Sequence, residues 1–205
     1  MPSERTAPLA GIILAAGESR RMGENKLLMK MAGDSVVRRA VRNAIEAGLS
    51  RVIVVLGFEA ERVADELAHL DIQPVLNPDF HLGINTSVQL GISCVPDQCS
   101  GAMVILADMP LVTSRMMADV ASRYRQGREP LVISLYDGVH APPTLYDRSL
   151  FGEFDGPAGE GCGRRIVKAH RHEAATVAWP GDRLADLDVP EDVERVRVHL
   201  AEATS

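Results

Sequence analysis

The sequence predicts a three-layer α/β fold, a mostly parallel sheet with helices on both faces. Short apolar runs alternate with longer amphipathic stretches through the first 136 residues, as strands and their crossover helices do. The chain's 205 residues, 46% hydrophobic and 24% charged, suit one domain with a substantial core. Glycine, proline and capping residues fall where each run should end.

Taken in order, the first strand is expected at Ala10–Ala15, followed by a glycine- and arginine-rich loop. Asp34 and Ser35 are candidate caps for a helix running to about Ala47, where Gly48 stops it. Arg51–Gly57 reads as a strand, Ala60–Leu70 as its helix, and Ile72–Asn77 as a third strand closed by Asn77-Pro78. A helix over Ser87–Val95 follows, with Thr86 or Asn85 near its cap. Gly101–Ala107 is the most strand-like run, and it ends in Asp108-Met109-Pro110. A helix from about Ser114 to Gln126 and a strand at Leu131–Tyr136 complete the regular part. Beyond Asp137 the rhythm degrades. His140–Tyr146 contains Pro142-Pro143 and reads as an edge segment or a turn. Arg164–Ala169 suggests a short helix, Ala174–Trp179 a last strand, and Pro190–Ala203 a helix opened by proline. The chain is thus expected to form one domain over residues 1–205, divided functionally at about residue 136.

A net charge of −6 provides no global basic field for nucleic acid or an anionic membrane, so neither is expected as a partner. Apolar runs such as Val52–Leu56 are too short to cross a bilayer, and no basic-then-apolar leader opens the chain. Cys94, Cys99 and Cys162 lack CxxC spacing and leave one cysteine over in any pairing, for which a reducing cytoplasm is the simplest setting.

Any bound anion must then be held locally, and the loop Leu14-Ala15-Ala16-Gly17-Glu18-Ser19-Arg20-Arg21-Met22-Gly23-Glu24-Asn25-Lys26 offers the means. It follows the first strand, at the carboxyl edge where open α/β sheets bind ligands. Ala15, Ala16 and Gly17 have little bulk, so a ligand can reach the backbone N–H groups, and Arg21 and Lys26 add positive charge. The loop is neither a Walker loop nor a dinucleotide fingerprint, because GxxxxGK[ST] and a GxGxxG after the first strand are both absent. Asp108 would face the same crevice if its strand neighbours the first, and one carboxylate there can seed a Mg²⁺ site completed by phosphates and water. Asp186 and Asp188 fall on one side of an extended run before Pro190, while Glu191 and Asp192 suit the first turn of the last helix.

The ordering LAAGxSxRMGxxK, here Leu14 to Lys26, resembles the opening motif of the MobA-like nucleotidyltransferases, most closely the molybdenum cofactor cytidylyltransferases. The resemblance implies a Rossmann-like nucleotidyltransferase fold with a mostly parallel mixed sheet. It implies an NTP as substrate, Mg²⁺ as cofactor, and a phosphorylated acceptor, with molybdopterin the default. It makes Leu14, Ala15, Ala16, Gly17, Arg21 and Lys26 nucleotide-binding, and Arg21, Lys26 and Asp108 catalytic. Asp108 and Asp188 become the metal ligands, Asp186 being the weaker alternative to Asp188. Gly83 to Gly91 resembles the family's GxxxSxxxG element, which gives Ser87 a role at the base beside its capping role. Ala16 and Asn25 fit the cytidylyl branch better than the guanylyl branch, which carries LAGG and an aspartate before the lysine. The second half departs from the pattern. Pro143 and Arg164 still match the acceptor side, but Glu160 stands where the family has aspartate. A guanylyltransferase, another sugar- or alcohol-phosphate transferase of the same fold, and a non-catalytic cofactor carrier remain as alternatives. A molybdoenzyme or its chaperone is a further partner the resemblance allows. The six histidines are expected to be surface or structural residues.

Overall fold

The computed structural model describes residues 6–19, 22–155, 161–187 and 190–202. The first strand, β1 (Leu9–Ala15), lies inside the sheet and is buried along all seven residues. A strand buried on both faces must be apolar throughout, and this one sits between two parallel neighbours. β4 (Arg51–Leu56) lies on one side, with Ile12 opposite Ile53, and β6 (Gly101–Leu106) on the other, with Leu14 opposite Leu106. A two-residue hairpin, β2 (Lys30–Met31) and β3 (Asp34–Ser35), leads into α1 (Val36–Glu46). Ser35 caps α1 by accepting the Arg38 N–H, and Gly48 stops the chain after it with φ +78°. The buried face of α1, Val36, Val37, Ala40, Val41 and Ala44, follows the helical repeat.

α2 (Ala60–Glu66) is shorter than its sequence suggests, because the following N–H groups of Leu67, Ala68 and Leu70 bond three residues back and His69 takes φ +70°. The short edge strand β5 (Gln73–Leu76) tolerates Pro74, and α3 (Ile84–Ser93) then crosses back over the sheet to β6. α3 begins three residues before the expected start, with Gly83 at φ +112° as its cap, so Asn85 and Thr86 lie inside the first turn. α4 (Ser114–Gln126) follows β6, capped by the Thr113 hydroxyl on the Met116 N–H.

The second half corrects one expectation. The segment around Pro142-Pro143 is neither an edge nor a turn but β8 (Val139–Asp147), antiparallel and inserted between β6 and β7 (Leu131–Tyr136). An interior strand carries two prolines because neither joins a ladder. Pairing with β6 begins only at Thr144, and pairing with β7 jumps from Thr144 to Ala141 at a bulge. The carbonyls freed there are taken by the Tyr136 hydroxyl on Pro142 at 2.8 Å and the Ser134 hydroxyl on Pro143 at 2.7 Å. α5 (Cys162–Ala169), β9 (Ala174–Trp179, parallel to β7) and α6 (Pro190–Glu202) complete the chain. The seven-stranded sheet has the order β5-β4-β1-β6-β8-β7-β9. One core joins its first face to α1, α2, α4 and α6 through residues such as Ile13, Val41, Met117 and Val196. The other joins its second face to α3 and α5 through Ile12, Val88, Ile92 and Ile166.

Candidate active site

The chain winds from β1 outward to β4 and β5 on one side, then returns through α3 to β6 on the other. Such a reversal leaves a crevice at the carboxyl ends of the two central strands, where nothing crosses above the sheet. The loop after β1 and the Asp108 turn after β6 both open into it. The condition set for Asp108, that its strand neighbour the first, is therefore met.

Leu14, Ala15 and Ala16 are buried, whereas Gly17 is exposed with open space around its Cα. The loop then folds back on itself. Ser19 takes φ +52°, its carbonyl accepts the Met22 N–H at 2.9 Å, and its hydroxyl accepts the Lys26 N–H at 3.3 Å. Asn25, itself buried, caps the turn Lys26–Leu28 through its side-chain oxygen on the Leu27 N–H. These bonds deliver the Lys26 ammonium to the Asp108 carboxylate, 2.5 Å away, with the two side chains 11% and 23% exposed. The pair sets a cation and a carboxylate side by side, partly withdrawn from water, at the carboxyl ends of β1 and β6. Arg21 and Asp188, expected here from the sequence, lie outside the described residues.

A cavity of about 340 Å³ lies against Asp108, lined also by Leu14, Ala16, Gly17, Gly83 and Ser87 among others. Ser87 thus reaches the crevice from α3. It is buried, and its hydroxyl oxygen accepts from Asn77 Nδ2 at 2.9 Å. Gly57, not anticipated from the sequence, supports the loop from beneath. A Cβ there would stand 2.8 Å from the Ala16 carbonyl and 2.7 Å from Phe80 Cβ, so only glycine lets the backbone after β4 lie this close.

A second cavity of about 680 Å³ shares Leu14, Gly83, Ile84 and Leu106 with the first. Arg164 and Asp186 line it, joined by Asn85 and His140. Pro142, not Pro143, faces this space; Pro143 is buried. Asn85 ties α3 to α5 by accepting the Cys162 N–H at 3.0 Å. His140 has Nε2 3.0 Å from the Thr144 hydroxyl. Burial, then the charges of Arg171 and Arg164, hold its imidazole below its ordinary pKa, so it stays neutral near pH 7. Among the histidines it alone lines this cavity, a placement that only the insertion of β8 into the sheet could reveal. The segment before α6 is anchored nearby, as the Leu187 N–H donates to the Asp108 carbonyl at 3.2 Å. Ala185 and Leu187 are buried and Asp186 between them is exposed, the alternation of an extended run.

Comparison with known proteins places the chain in a family. The MobA-like NTP transferase domain matches residues 11–175. The purine catabolism protein PucB of Bacillus subtilis is 29% identical over 204 residues, covering 94% of this chain and 98% of that protein. A protein of Opitutus terrae named "Probable molybdenum cofactor guanylyltransferase" is 27% identical, covering 95% and 98%. The molybdenum cofactor cytidylyltransferase of Escherichia coli is 28% identical, covering 67% and 69%. Among solved structures, Rv0371c of Mycobacterium tuberculosis superposes with a TM-score of 0.84 at 24% identity, covering 94% and 98%, and that protein has also been solved with manganese. At that identity the superposition speaks for the fold alone. The sequence match, however, runs from β1 to β9, well over half the chain, and on that ground the protein is a nucleotidyltransferase belonging to the MobA-like NTP transferase family.

Proposed function

We propose that the protein transfers CMP from CTP to the phosphate of a small acceptor of molybdopterin type, releasing pyrophosphate. The observation that carries this reading is the pair of cavities sharing one wall at the carboxyl ends of β1 and β6, with Asp108, ion-paired to Lys26, lining the smaller one. The smaller cavity suits the nucleotide and the larger one the acceptor, whose phosphate Arg164 would hold. An acceptor phosphate oxygen attacks the α-phosphorus in line, and the bond to the pyrophosphate oxygen breaks. No general base is needed, because a phosphate is already ionised near neutral pH. The residues present therefore act by positioning and by neutralising charge. The Gly17 loop offers backbone donors to the triphosphate, and Lys26 and Arg21 take up its negative charge.

The donor set fits Mg²⁺. Asp108 supplies one hard oxygen ligand at the crevice, and Asp188 is proposed as the second. Mg²⁺ needs few protein carboxylates, keeping places for phosphates and water. Once bound, it would neutralise charge on the phosphate oxygens.

CTP is favoured over GTP by Ala16 and Asn25, although a relative matching nearly the whole chain carries a guanylyl name. Pyrophosphate release, measured with each NTP, Mg²⁺ and molybdopterin, tests the proposal. Faster release with CTP than with GTP is the expected result. The reverse order replaces CMP by GMP in the reaction, and no release with any NTP leaves the carrier reading in its place.

A further inference from the structure

The polar network beneath Ser87 has a direction. Asn77 directly follows β5 and is 3% exposed. Its Oδ1 accepts the Asp79 backbone N–H at 3.0 Å. Because a backbone N–H can only donate, that bond fixes which way the amide points. Asn77 Nδ2 is thereby turned toward α3, donating to the hydroxyls of Thr86 and Ser87 at 2.9 Å each. Thr86 directs its hydrogen to a main-chain carbonyl, Gly83 at 2.9 Å or Asp79 at 3.1 Å. Ser87 differs. Its oxygen accepts from Asn77, the residue is 3% exposed and lines the 340 Å³ cavity, and among the described residues no acceptor takes its hydrogen. A buried donor left unmet is costly, so a ligand here is selected for an acceptor atom.

We propose that Asn77 is a positioning residue that sets Ser87 as a hydrogen-bond donor to the nucleobase, restricting the base to one with adjacent acceptors on its facing edge. The inference rests on the reading above that an NTP occupies this cavity. Cytosine presents O2 and N3, both acceptors, side by side. Uracil places an N–H at the same edge, and guanine sets N1–H and an amino group beside O6. At the ring nitrogen, where cytosine N3 accepts the Ser87 hydrogen, either would present a donor instead. The first turn of α3 adds to the selection, since a helix start presents backbone N–H groups and no acceptors.

The substitution Asn77→Asp tests the direction of the network. It keeps the shape and the oxygen that receives Asp79, but replaces the amide donor by a second acceptor, which takes the Ser87 hydrogen and turns the hydroxyl's lone pairs to the cavity. Calorimetric dissociation constants at pH 8 for Mg²⁺-CTP, Mg²⁺-UTP, Mg²⁺-GTP and Mg²⁺-tripolyphosphate are compared in the wild type, Asn77→Asp and Ser87→Ala. The wild type should bind CTP about tenfold more tightly than UTP, the worth of one good hydrogen bond. Asn77→Asp should bring that ratio to about one or below it, with tripolyphosphate binding unchanged, because only the base contact is altered. A purely structural Asn77 would weaken both nucleotides together, so an unchanged CTP-to-UTP ratio in folded Asn77→Asp overturns the proposal. A wild type that prefers UTP or GTP overturns it equally. Should Asn77→Asp fail to fold, Ser87→Ala carries the test: loss of the ratio supports the donor role, and its persistence refutes it. A wild type that binds no nucleotide more tightly than tripolyphosphate removes the NTP reading of the cavity itself, and this inference with it.

Discussion

At Asp108 the proposed mechanism asks two tasks of a single carboxylate. It pairs with Lys26 across 2.5 Å in the free protein, and under the proposed mechanism it releases that lysine to the triphosphate and turns to Mg²⁺. Asp108→Asn keeps the shape and a hydrogen-bonding oxygen but removes the charge. The rate of pyrophosphate release should fall roughly 100- to 1,000-fold, in the range seen when one preorganised electrostatic contact is lost. The circular dichroism spectrum should stay that of the folded protein; a near-normal Mg²⁺-dependent rate would remove Asp108 from the metal site. Residues of this kind were legible in the sequence because each stands at a strand end within a dense pattern. Gly57 and Asn77 were not identified with these roles, since their importance lies in what approaches them, Ala16 in one case and Ser87 in the other.

At the level of elements, α3 matters most to the site, because it carries Ser87 and seats directly on the sheet. The contact is made at Gly91, where a Cβ would stand 2.4 Å from Ile12 Cγ2 and 3.3 Å from Val55 Cγ2. Ile12 is fully buried in the central strand and its branched Cβ cannot swing aside. Gly91→Ala therefore sets about 1 kcal/mol of gained helix propensity against about 1–3 kcal/mol of overpacking. The clash should win. Urea denaturation should show a net loss of stability, and CTP affinity should fall with it as α3 lifts away from the crevice; a stabilised variant would mean the helix is free to shift. The elements of the first half were readable from periodicity because parallel strands and crossover helices write long, regular patterns. β8 was misread since its prolines, which argue for an edge, are excused by a bulge that only the paired strand reveals.

Over the whole molecule, the fold class was legible from the alternation of elements, whereas the strand order was not, because pairing between distant segments leaves no local mark. That order inserts β8 between β6 and β7 and brings His140 into the larger cavity beside Arg164. The consequence for stability has a definite sign. Burial and the neighbouring Arg171 and Arg164 depress the folded-state pKa of His140 below the unfolded value of about 6.5. As pH falls through that unfolded value, the unfolded chain binds the proton first, so folding stability drops until the folded pKa is also passed. The stability difference between pH 7.5 and 5.5 should thus be larger in the wild type than in His140→Gln, which urea denaturation at the two pH values measures. Equal differences would show that the imidazole titrates as freely as in the unfolded chain.

The wall shared by the two cavities also bears on turnover. Leu14, Gly83, Ile84 and Leu106 border both spaces, so a product joining nucleotide to acceptor would straddle them and leave neither vacant. Under the proposed reaction, product should then inhibit competitively against CTP and against the acceptor alike, and steady-state inhibition patterns would show it. Departure of the joined molecule, more than the bond-making step, would then set the pace whenever product accumulates, and any protein that drew it away would quicken the cycle without touching the chemistry.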